Sequence, residues 1–93
     1  MTPDQTQLAR ARDELEEAAK TAGDDDDVRD PVHETAAAFA ELANGDQQPD
    51  HAVMDEHLNA LRQAKQHADG ETGEHIEEAL EYAEEYREEL PQG

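Results

Sequence analysis

Five histidines and 26 carboxylates are the residues of this 93-residue sequence that could do chemistry, and their spacing decides how far that chemistry goes. His67 and His75 flank a turn marked by Gly70 and Gly73, and are expected to approach each other across it. With Glu71 or Glu74 they would offer a transition metal mixed nitrogen and oxygen ligands. His33-Glu34 begins like a zinc-protease motif but has Ala37 where the second histidine must fall. His51 and His57 are six apart and do not share a helix face. Asp24-Asp25-Asp26-Asp27 could gather a divalent cation, yet four consecutive acids lack the spaced ligands and turning glycine of a calcium loop. They read better as an acidic linker that caps the next helix and faces its positive end. These patterns assign no metal site.

Catalysis has less to work with. The chain has no Ser and no Cys, so nucleophilic catalysis would fall to Thr2, Thr6, Thr21, Thr35 or Thr72, which sit at expected caps or helix faces. Acid–base pairs could be drawn almost anywhere among so many acids, which makes any one pair uninformative. No Gly-rich phosphate loop and no basic, aromatic-bearing patch for nucleic acid is present. The expectation is a protein without catalytic residues, without a cofactor, and not an enzyme.

The elements that position these groups are helices. Apolar residues make up 34% of the chain, and half of those are Ala, so large anchors are few. They recur at three and four residues between Gly and Pro punctuation, with no run of period two. The first helix is predicted from about Pro3 to Ala22, with Thr2 and Gln5 spaced as a capping box and Gly23 as its stop. The second is predicted from Asp26 to Asn44, with Pro31 either in its first turn or marking its start. The third follows an Asp50 cap and ends near Asp69, before Gly70; the fourth runs from about Thr72 to Leu90. His57, on the apolar stripe between Met54 and Leu61, reads as a boundary side chain, and His67 as a favourable partner for a helix C-terminus. The fold class expected is all-α: one small domain over residues 1–93, a bundle of four antiparallel helices with short loops.

The charge sets the environment. With 7 Lys and Arg against the acids, the formal charge is −19. Nine Glu fall between Glu71 and Glu89, against the single Arg87. Five Glu pairs there, such as Glu77–Glu81 and Glu81–Glu85, repeat at four residues and repel along the helix. Such a surface is expected in brine, where the screening length falls from about 10 Å at 0.1 M to about 3 Å at 1 M salt. Solvated monovalent cations would be its companions. The opening Met1-Thr2-Pro3-Asp4 does not read as a signal peptide, and no apolar run approaches the roughly 20 residues of a membrane span. A cytoplasmic protein bound to neither membrane nor nucleic acid is expected.

Tyr82 and Tyr86, one turn apart, widen the apolar stripe of the fourth helix. Packing at the core edge would account for the pair; because tyrosine also favours interfaces, these two, with Phe39 and Val53, are the candidate contact residues of a homodimer or of another, unknown protein partner.

The segment Leu8-Ala9-Arg10-Ala11-Arg12-Asp13-Glu14-Leu15-Glu16-Glu17-Ala18-Ala19 resembles the opening of small acidic haloarchaeal helical proteins of unknown function. Pro49-Asp50-His51, Leu58-Asn59-Ala60-Leu61, Ala79-Leu80 and Tyr86-Arg87 carry the same resemblance. It implies helical structure in a salt-loving archaeon and supplies no activity. The functional expectation is therefore a helical interaction module in a halophile cytoplasm. The alternative is a module that binds a metal ion or a basic partner through its histidines and acidic clusters.

Overall fold

Periodic apolar stripes need partners, and here each stripe finds them in two neighbouring helices. The computed structural model describes residues 5–45 and 49–90. Four helices follow one another: α1 (Thr6–Ala22), α2 (Asp26–Asn44), α3 (His51–His67) and α4 (Gly70–Glu89). α1 packs on α2 and α4, and α3 closes the square against the same two, so α1 and α3 lie diagonally. The radius of gyration, 12.4 Å, is what a compact chain of this length should show, about 12 Å.

Leu8, Leu15, Val28, Val32, Phe39, Met54, Leu58, Leu61, Ile76, Leu80, Tyr86 and Leu90 fill the interior. Ala11 and Ala18 on α1, Ala36 on α2, Ala64 on α3, and Ala79 and Ala83 on α4 are buried among them. Small side chains let helix backbones approach, and α1 lies closer to α2 and α4 than α3 does.

The helix ends show which local signals act. Asp50 caps α3, its Oδ1 accepting from the Val53 N–H at 2.8 Å. Asp25 holds the N-cap position of α2, and Asp26 and Asp27 lie in its first turn, against the positive end of the helix. α2 starts at Asp26, which places Pro31 inside the helix. Pro31 has no N–H for the Asp27 carbonyl, while its own carbonyl accepts from the Thr35 hydroxyl at 2.8 Å. Thr2 and Pro3, expected to open α1, lie outside the described residues. The Gln5 amide instead donates to the Gly45 carbonyl at 3.4 Å, joining the start of α1 to the end of α2.

The turn between α3 and α4 differs from the sequence expectation. α3 ends at His67, and only Ala68 and Asp69 separate it from α4. Gly70 is not the stop of α3. It opens α4 with φ +53°, a left-handed value that glycine adopts without strain. Gly73 lies inside α4 and not in a loop.

Candidate functional site

Gln7, Glu14 and Thr21 recur every seven residues, two helical turns, and so form one polar row along α1. Antiparallel α4 lays its own polar row beside it. The Gln7 amide donates to Glu85 Oε2 at 3.1 Å, and at the other end the Thr21 and Thr72 hydroxyls are 2.6 Å apart. Midway, His75 Nδ1 lies 3.4 Å from Glu14 Oε1. Glu14, His75 and Glu78 each bring one ligand-type atom within 4.8 Å of the other two. Among the described residues no other group of three such side chains comes together.

The electrostatics of this centre are unlike the rest of the surface. Every described Asp and Glu is exposed except Glu14, which is drawn partly under the seam. Glu78, close enough to share a hydrogen bond with it, pushes the Glu14 carboxyl above its usual value; burial adds to the rise and His75 opposes it. His75 is also half-buried. Its Nδ1 is shut off from solvent and has no hydrogen-bond partner, because the approach to Glu14 is at ion-pair distance without hydrogen-bond geometry. Gln7 Oε1, further along the seam, is likewise buried and unpaired. One nitrogen and two carboxylates held this way can share a proton or receive a cation.

The other sequence candidates lie elsewhere. His67 is exposed at the end of α3, and Glu71 and Glu74 are exposed on α4, so none of them joins His75 in the cluster. His51 Nε2 donates to the Leu90 carbonyl at 3.3 Å, tying the start of α3 to the end of α4. His57 stands edge-on to the Phe39 ring, with centroids 5.6 Å apart, and burial lowers its pKa. His33 is exposed on the rim of an open groove of about 450 Å³ between α1 and α2. In the acidic run, Asp26 is held by Arg29, whose guanidinium also donates to the Gly23 carbonyl at 3.1 Å. Glu14 was missed because its partners are more than sixty residues away. The available signal was the seven-residue polar row on a stripe otherwise made of Leu and Ala.

The four expected contact residues do not form one face. Phe39 is 0% exposed and Tyr86 is 1% exposed; both are core side chains and offer no surface to a partner. Ala supplies so much of the interior that the few large side chains must fill it. Tyr82 is half-buried against the core, and Val53, 36% exposed, stands on α3. Val53 is the one large apolar side chain exposed among the described residues.

The cations are mostly used internally. Arg12, Lys20, Arg29, Arg62, Lys65 and Arg87 each pair with a carboxylate, which is six of the seven basic side chains. Arg62–Glu84 at 3.0 Å, Lys65–Glu77 at 3.7 Å and Arg87–Asp55 at 2.6 Å join α3 to α4. The Arg87 guanidinium holds the Asp55 carboxyl below its usual range. No described helix is long and apolar enough to cross a membrane.

Comparison with the curated proteins and with the solved structures finds no match. Over residues 3–89 the chain matches a family of unknown function (DUF7553), and to that family it belongs.

Proposed function

We propose that this protein is a non-catalytic helical interaction module of a halophilic archaeal cytoplasm, with a second copy of itself as the first partner to test. One observation carries the reading: six of seven basic side chains are paired with the protein's own carboxylates, so most of the 26 acids are left without a cationic partner and the surface carries a large excess of acid. In dilute buffer two such surfaces repel over a screening length of about 10 Å, and at 1 M salt over only about 3 Å. Copies can therefore meet in brine and not outside it. With so little exposed apolar surface, the contact would be polar and bridged by solvated cations.

Sedimentation in roughly 2–3 M KCl, a range set by the screening length, tests the pairing. A concentration-dependent dimer is expected, and a monomer at every concentration would overturn it. The net charge also fits a basic protein partner. That attraction would weaken as salt rises, the opposite of self-association.

A further inference from the structure

We propose that Glu14, His75 and Glu78 form a binding site for one first-row divalent metal ion at the α1–α4 seam. The donor set is mixed: an imidazole nitrogen and two carboxylate oxygens, from two helices, within 4.8 Å of one another. Imidazole favours zinc and its neighbours over calcium or magnesium, and three protein ligands with an open fourth position make a common zinc arrangement.

Two further observations point to a cation here and not to an ordinary patch of surface acid. His75 Nδ1 is closed to solvent and unpaired, although a carboxylate oxygen lies 3.4 Å away. Imidazole nitrogens in such places normally find a hydrogen-bond partner, and a metal ion is the other group that satisfies one. Glu14 is the single described acid partly withdrawn from the surface, and it lies beside that nitrogen and a second carboxylate. Two carboxylates brought this close repel, and a divalent ion would remove that repulsion.

Ligand atoms of a tetrahedral zinc ion lie about 3.4 Å apart, so the three side chains must close in slightly. Glu78 is exposed, and Glu14 and His75 keep 22% and 28% of their side-chain surface open, which gives them that freedom and the ion a way in. This inference goes beyond the interaction reading and does not depend on it.

The test is a Zn²⁺ titration followed by calorimetry and by the histidine ring resonances. It is run in roughly 2 M potassium nitrate, so that loose binding to surface acid is screened and chloride does not compete for zinc. One ion per chain is expected, with the His75 ring shifting and those of His33 and His67 staying in place. Glu14→Gln and His75→Gln should each weaken binding at least about tenfold, since even groups that only orient a ligand cost about 10–100-fold. His67→Gln should leave affinity unchanged. A His75 ring that does not respond at saturating zinc overturns the site. So does Glu14→Gln binding within about twofold of the unaltered chain, a change well short of the loss of a ligand. The ring shift is read on the unaltered protein, so the result stands even if a variant folds poorly.

Discussion

The Thr21 and Thr72 hydroxyl oxygens are 2.6 Å apart across the α1–α4 seam, and the proton between them has a direction. Thr21 gives its only hydroxyl proton to the Ala18 carbonyl at 3.1 Å, so Thr72 must be the donor to Thr21. The two substitutions to valine are therefore unequal. Thr72→Val removes a donor and leaves Thr21 bonded to Ala18, which should cost about 1 kcal/mol. Thr21→Val strands the buried Thr72 hydroxyl and should cost about 1–3 kcal/mol. The double variant should be no worse than Thr21→Val alone. Denaturant unfolding of the three variants in molar salt checks the order.

Gly70 and Gly73 should respond oppositely to alanine. A Cβ at Gly73 would meet Ala68 O at 3.8 Å and Ala68 Cβ at 4.0 Å, both ordinary contacts. Gly73→Ala should therefore stabilise the protein by about 0.5–1 kcal/mol, the usual difference inside a helix. Gly70 has open space around it, but its φ of +53° strains any L side chain. Gly70→Ala should destabilise by about 1–2 kcal/mol. Melting temperatures measured in one buffer suffice.

Exposed charge on α4 offers a salt-dependent prediction. Glu81 is one turn from both Glu77 and Glu85, all three exposed. Glu81→Lys turns two repulsive spacings into attractive ones and should stabilise by about 1 kcal/mol at low salt. In roughly 2 M KCl the gain should vanish, because the screening length is then shorter than the charge separation. Parallel thermal melts at the two salt concentrations would show it.

Acid should weaken the fold through His57. Burial against Phe39 lowers its pKa below the ordinary 6.5, with Glu56 opposing. The unfolded chain then binds a proton that the folded chain resists. The contribution is intact above 6.5 and is lost as pH falls from there through the lowered folded value. His57→Leu should flatten that part of the stability profile between about pH 7.5 and 5. An unchanged profile would show that this ring is too solvated to matter.

Local signals were legible in the sequence, and distant ones were not. Asp26, Asn44, the Ala22–Gly23 stop and the Asp50 cap fall where residue type and spacing place them. Those features are decided within one or two turns. The α3–α4 turn was misjudged because Gly70 suits either the end of one helix or the start of the next, and composition does not choose. Tyr86 widens the α4 stripe in the sequence yet is a core side chain, because a stripe counted helix by helix says nothing of the volume left by alanine opposite. The Glu14–His75–Glu78 cluster depends on which helices become neighbours, and the turn flanked by His67 and His75 pointed His75 toward His67 instead.

Glu14 and His75, Thr21 and Thr72, and Gln7 and Glu85 all join the first helix to the last. During synthesis α1 is followed by α2 and α3 before α4, so one of its two packing partners is made only after both of them. Until α4 clears the exit tunnel, the side of α1 that packs on it has nothing to cover it, and the nascent chain must carry that exposed surface through synthesis. The acids flanking that stripe give the growing chain a like-charge repulsion from its neighbours while the stripe is still open.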